Sequence, residues 1–394
     1  MDAPERSDWR RVILLWLAGL GGAAQYIKVS VIFDRLPGIF PDAGAALGFL
    51  MSLVGFVGIL LGVVAGLLVA RIGYRRALIG GLWGGAALSA FQASLPGMEV
   101  FLLSRVAEGV SHLAIVVAAP TLIARAVLPS ARGAALSLWG TFFGVTFAGM
   151  VWLGLPFVDW AGIPAFFLAH GVYLAVFALL LTWLLPPERP DPPDPNQASL
   201  FERHLAIYRS PWISTPAWCW LFYTLCYLSL LTLLPPFLDP AIRTFVMGAM
   251  PLVSMVSSLS LGVWLMGRYS AVRVIQIGFL SSAALALVLG IFPGSALVCL
   301  LLSAALGLLQ GAGFAAVPEL NNSDAARSAG NGALAQTGNI GNTLGTPIFL
   351  AVLGFGGHGN WMVCLSLVLV LGYVAQVWLA RRRARAADLG AMAD

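Results

Sequence analysis

Apolar residues run along this chain in blocks of about twenty, each closed by a short polar or charged stretch. The blocks fall near 12–34, 43–69, 77–95, 99–126, 133–155, 162–185, 212–237, 244–266, 272–292, 295–317, 329–353 and 360–380. At about 1.5 Å of helix rise per residue, each can cross a hydrocarbon layer roughly 30 Å thick. Lipid offers no partner to a bare peptide group, so the blocks predict twelve membrane-spanning helices and an all-α integral membrane protein. The first block ends at Asp34-Arg35 without a small-residue cleavage site and reads as a retained helix. One proline-dense break, PPERPDPPDPNQA at 186–198, separates six blocks from six. It predicts a six-helix bundle over 1–185, a connecting segment over 186–211 and a second bundle over 212–394. Within the connection, Ser199 precedes Glu202 by three, a capping-box spacing, and Leu200, Phe201, Leu205 and Tyr208 share one face. A short helix on the membrane surface is the expectation.

The two halves repeat. FLLSRVAEGVSHLAIVVAAPTLIA near residue 101 aligns with CLLLSAALGLLQGAGFAAVPELNN, 198 residues later, matching Gly109 with Gly307 and Pro120 with Pro318. RGAALSLWGTF at 132–142 aligns at the same offset with GNGALAQTGNI at 330–340. Arg105, Glu108 and His112 of the first copy become Ser303, Leu306 and Gln310. Packing therefore does not require these charges, and costly ionisable groups kept in one copy alone are candidates for function. Parallel repeats of this kind suit alternating access around a site between the halves.

Composition agrees: 59% of the 394 residues are hydrophobic and 10% charged. The formal charge of +5 suggests nucleic acid only until its distribution is read. With the amino terminus placed in the cytoplasm, eighteen of the twenty-two basic residues fall in cytoplasmic segments. Arg35 and Arg243 lie outside, and Lys28 and Arg105 lie within spans. This is a topology signal that puts both termini in the cytoplasm, and it excludes a nucleic-acid role. One lysine among these residues suggests a GC-rich bacterial genome. Cys219, Cys226, Cys299 and Cys364 sit in apolar spans without metal-ligand spacing. No phosphate-cradling loop, nucleophile elbow or zinc-type histidine pair occurs, so no enzyme, metal or cofactor is expected, and energy comes from a gradient.

GLLVARIGYRR, from Gly66 to Arg76, resembles the loop between the second and third helices of the major facilitator superfamily. Gly66, Arg71, Gly73, Arg75 and Arg76 fit its pattern, while Ala70 stands where the family has an acid of the cytoplasmic gate. Arg105-Val-Ala-Glu108-Gly109 resembles the fourth-helix motif of the proton-coupled antiporters, with Glu where Gln is usual. The fifth helix has Gly140, Gly144 and Gly149 but lacks the Gly-Pro pair of drug exporters. The resemblance implies that the first, fourth, seventh and tenth helices line a cavity, gathering Gln25, Lys28, Arg105, Glu108 and His112 around it.

Counting from Asp34 and Glu99, Lys28 and Arg105 lie roughly 9 Å below the outer boundary, and Gln25 and Glu108 roughly 13 to 14 Å. Lys28 has no acidic partner of its own, so with His112 neutral the set sums to +1, unfavourable in low dielectric unless an anion visits. Two other readings stand: an ion pair that only satisfies itself, and a Lys28 that snorkels outward. Burial favours a neutral Glu108 and nearby Arg105 favours its carboxylate, so its protonation can follow conformation. His112 either shares that proton or only bonds its surroundings; His170 and His358 read as structural. Tyr223 and Tyr227, four apart, are candidate substrate contacts beside Trp218 and Trp220. Gln310 is the neutral counterpart of His112. Asn339, Gln336 and Asn342 either face the solute or bond a neighbouring helix, and Gly338, Gly341 and Gly345 permit close helix approach. Glu319 is either an inner gate residue or a solvated helix end.

The expectation is a monomeric secondary transporter in a bacterial inner membrane, moving a small organic anion or zwitterion with protons. Lys28 and Arg105 would hold the anion and Glu108 the proton. Two alternatives are a proton-antiport exporter of amphipathic compounds and a receptor or scaffold that does not transport.

Overall fold

The computed structural model describes residues 6–187 and 200–391 and contains no strand among them. The chain divides into two compact units, Met1–Pro195 and Asn196–Asp394. The first holds α1 (Trp9–Val31), α2 (47–72), α3 (Tyr74–Gln92), α4 (Met98–Arg125), α5 (132–161) and α6 (163–184). The second holds α7 (Ser214–Leu233), α8 (240–266), α9 (Ala271–Ile291), α10 (Ala296–Leu320), α11 (324–356) and α12 (358–391). The twelve apolar blocks thus appear as twelve helices. Two junctions are tighter than the blocks suggest: α5 passes into α6 at Gly162 (φ 84°) and α11 into α12 at Gly357 (φ 66°), without a loop. Both angles fall where a Cβ is strained, so glycine makes each turn possible.

Several helices are locally irregular. A 3₁₀ turn, Leu53–Gly55, interrupts α2, and π turns interrupt α5 at Met150–Gly154 and α8 at Ser258–Gly262. Such turns shift the facing of the residues that follow and free individual carbonyls for other partners. In each unit a helix backbone also meets a glycine of another helix. A Cβ on Gly109 of α4 would collide with the Val54 carbonyl, and one on Gly307 of α10 with the Ser254 carbonyl. The repeated glycine therefore has one job in both halves, to let the helix backbone approach its neighbour.

The connection between the units lies largely outside the described residues, with Ser199 among those it excludes. A helix follows at Leu200–Arg209, where a surface helix is predicted; the side chains of Leu200, Phe201 and Glu202 are also outside the described set. Its Tyr208 hydroxyl donates to Gln336 Oε1 on α11 at 2.7 Å. Burial there lifts the Tyr208 phenol to about 12. In α11, Gly341 puts its backbone 2.6 Å, measured from an ideal Cβ, from the Leu221 carbonyl of α7, the close approach expected of that glycine-rich stretch.

Candidate solute and proton site

Lys28 on the last turn of α1 and Arg105 and Glu108 on α4 come together in the first unit, each 0% exposed. Removing an ion from water costs several kcal/mol unless dense polar contacts replace the water. Lys28 Nζ donates to Glu108 Oε1 at 2.7 Å, Gln92 Oε1 at 2.8 Å and Ser89 Oγ at 3.0 Å, and lies 3.3 Å from His170 Nδ1. Its ammonium also sits 4.9 Å from the centre of the Phe167 ring. His170 Nε2 donates to the Gly21 carbonyl at 3.0 Å, which makes Nδ1 the acceptor of the neutral ring.

Arg105 spends its fork on three different oxygens. Nη1 pairs with Glu108 Oε2, Nε donates to the Leu50 carbonyl at 2.7 Å and Nη2 to the Gln25 carbonyl at 2.7 Å. Gln92 Nε2 adds a bond to Glu108 Oε2 at 2.9 Å. One carboxylate therefore serves two cations, and with both histidines neutral the cluster carries one surplus positive charge. Gln25 extends it through Nε2 to Ser111 Oγ at 2.7 Å, and Ser111 donates on to the Gly81 carbonyl at 2.7 Å. His112 turns to α1, donating from Nδ1 to the Gly22 carbonyl at 3.0 Å, and its ring stands edge-on to Tyr26 with the ring centres 4.9 Å apart.

This corrects two expectations and sets aside one alternative reading. Lys28 is not without an acidic partner: it shares Glu108 with Arg105. Nor does it snorkel, since its ammonium is fully enclosed and bonded inward. His170, read as purely structural, belongs to the Lys28 shell, together with Ser89 and Gln92. The signal for His170 is present in the sequence: it is the one histidine of the sixth apolar block. Ser89 and Gln92 carry no such mark, because only packing shows which side of α3 faces Lys28.

The repeat clarifies what Arg105 does for packing. Ser303 stands at its position in α10 and donates to the Met250 carbonyl, as Arg105 Nε does to Leu50. Both halves satisfy an equivalent carbonyl, on α2 in one and α8 in the other; one uses a neutral hydroxyl and the other a guanidinium with two arms to spare. In the second unit Tyr223 and Tyr227 are buried and stacked at 5.1 Å, with Trp220 5.1 Å from Tyr223. Gln310 is half-buried, and Asn339 Nδ2 donates to the Ala335 carbonyl of its own helix at 3.0 Å. Glu319 Oε2 accepts from the Ala271 amide at 2.8 Å, capping the start of α9.

At the other end of the first unit, Gly73 (φ 95°) makes the turn between α2 and α3. Arg75 donates from Nε to Leu185 at 2.8 Å and from Nη2 to Thr182 at 2.7 Å, tying α3 to the last carbonyls of α6. Arg71 and Arg76 are exposed. The surroundings of Gly66 and Ala70 lie outside the described residues.

A family model of the Major Facilitator Superfamily matches residues 15–346. No curated protein matches the chain. Among solved structures, it is similar to a bacterial homolog of the human lysosomal transporter Spinster, seen inward-facing and unoccupied. The TM-score is 0.75 at 14% identity, over 95% of this chain and 97% of that one. The inward-facing, occupied form of that homolog gives a TM-score of 0.75 at 15% identity, over 94% of this chain and 96% of that one. At such identities the likeness speaks for the fold.

Proposed function

The chain belongs to the major facilitator superfamily of membrane transporters, and on that premise we propose that it carries a small organic anion or zwitterion together with a proton, by alternating access. The observation behind this reading is the single Glu108 carboxylate shared by Lys28 and Arg105. Protonating Glu108 removes the only negative charge in the cluster and raises its sum from +1 to +2. A solute carboxylate then takes the place that Glu108 gives up. Each ligand makes the other's binding more favourable, which couples proton and anion in the same direction. The positive-inside asymmetry supports a bacterial inner membrane with both termini in the cytoplasm.

Proteoliposomes test this with a panel of labelled lactate, succinate and glutamate. Saturable uptake driven by an inward proton gradient is the expected result. Glu108→Gln should still exchange labelled for unlabelled solute but should not accumulate it. Accumulation by Glu108→Gln at the wild-type level places the proton elsewhere.

The stacked Tyr223 and Tyr227 beside Trp220 favour a second reading, export of an amphipathic compound in exchange for protons, with Glu108 as the carrier. Extrusion of an amphipathic dye, with no uptake of the acids, selects it.

A further inference from the structure

We infer that Gln92 on α3 is a solute-binding residue, the third donor of a carboxylate cradle whose other two donors are Lys28 and Arg105. The inference rests on the proposed exchange, in which a solute carboxylate enters the place that protonated Glu108 gives up. Before the exchange Glu108 fills the cradle itself. Lys28 Nζ reaches its Oε1 at 2.7 Å. Arg105 Nη1 and Gln92 Nε2 meet at Oε2, the amide at 2.9 Å. All four side chains are fully enclosed.

The neighbours of the Gln92 amide fix which way it points. Its Oε1 accepts from Lys28 Nζ at 2.8 Å, and an ammonium can only donate. Its Nε2 gives one hydrogen to the carboxylate and the other to Ser104 Oγ at 3.1 Å. The Ser104 hydroxyl spends its own hydrogen on the Phe101 carbonyl at 2.6 Å, which leaves a lone pair for Gln92. Turning the amide over would set an N–H against the ammonium and an oxygen against the carboxylate, two repulsive contacts. One Gln92 hydrogen is thus held on the carboxylate position. The cations are anchored from behind, Lys28 by Ser89 and His170, Arg105 by the Leu50 and Gln25 carbonyls. Once Glu108 withdraws, three donors face one place. A buried donor left unmet is costly, so the group that settles there must accept from all three. A carboxylate does so with two oxygens, one for Lys28 and one shared by Arg105 and Gln92. A carboxamide fails, because its NH2 end opposes a donor. Gln92 therefore adds direction to the attraction of charge and helps the site tell an acid from its amide.

The test uses the full chain in proteoliposomes, with labelled lactate, succinate and glutamate as probes and their primary amides as competitors. Gln92→Glu keeps an oxygen for Lys28 and replaces the N–H by a second oxygen. KM for the transported acid should rise about tenfold or more, as expected for losing one hydrogen bond to a charged group, with the maximal rate retained. The amide, which should not compete in the wild type, should now compete, because the new oxygen accepts its N–H. Gln92→Met removes the donor without adding charge; KM should rise by the same order and the amide should stay excluded. Ser89→Ala takes an acceptor from Lys28 but leaves the Gln92 N–H in place, so its rise in KM should be much smaller. A wild-type KM in the Gln92 variants overturns the role. An equal rise in Ser89→Ala overturns it too, by tracing the effect to the hold on Lys28. Neither result touches Glu108. No uptake of these acids by the wild type, or wild-type accumulation by Glu108→Gln, removes the underlying reading and the cradle with it.

Discussion

At the scale of single residues, the sign of the Lys28 cluster makes a prediction that a count of salt bridges would miss. Lys28→Met leaves Arg105 facing Glu108, a neutral pair. Glu108→Gln leaves two cations buried together, a sum of +2. Each substitution removes one ion, yet the second should cost far more, about 3–5 kcal/mol, because it strands uncompensated buried charge. Thermal unfolding of the two purified variants checks the order; a Lys28→Met that melts below Glu108→Gln contradicts the charge assignment. Added organic acid should raise the melting temperature of Glu108→Gln more than that of wild type, since the solute carboxylate would supply the missing charge.

At the scale of helices, the repeat separates what holds α4 in place from what its charges do. Gly109→Ala and Gly307→Ala should each destabilise by about 1–3 kcal/mol, because each pushes a Cβ into a backbone carbonyl that cannot rotate away. Similar losses in both variants, read by unfolding, would confirm the shared packing role. Arg105→Ser should fold better than Arg105→Leu, because the serine at the matching position of α10 satisfies the equivalent Met250 carbonyl of α8. It should nonetheless abolish binding of an anionic solute, measured by thermal shift. If Arg105→Ser and Arg105→Leu unfold alike, the Leu50 carbonyl does not depend on this donor.

The same comparison shows where the sequence was readable. Twenty-residue apolar blocks locate helices well, because bilayer thickness imposes their length. Lys28, Arg105 and Glu108 stood out because a charge inside such a block is expensive. The 3₁₀ break at Leu53–Gly55 and the π turn at Ser258–Gly262 left no mark, since apolar content does not record a shift of one hydrogen bond. Ser89 and Gln92 are not legible for a related reason, and His170 is visible only as a structural histidine. In an apolar helix with little amphipathic bias, composition does not tell which side meets a neighbour, and α3 and α6 reveal it only once packed.

For the whole molecule, charge balance predicts the energetics of a turnover. The empty cluster carries +1, and after taking one proton and one monovalent anion it carries +1 again. Uptake of a monoanion should therefore respond to a pH gradient and be indifferent to membrane voltage. Valinomycin-imposed potentials across proteoliposomes measure this, and a strong voltage response would mean a different stoichiometry or a different carrier. A zwitterion carried with one proton adds a net charge and should respond to voltage, so the same measurement separates the two solute classes.

Lys28 has three hydrogens to give and four atoms placed to receive them. When Glu108 lets go, Ser89, Gln92 and His170 are enough to occupy the ammonium, and Arg105 still grips two backbone oxygens. Neither cation has to travel for the carboxylate to leave. The cheapest moving part in the cluster is thus the acid itself, a short side chain swinging between fixed positive posts.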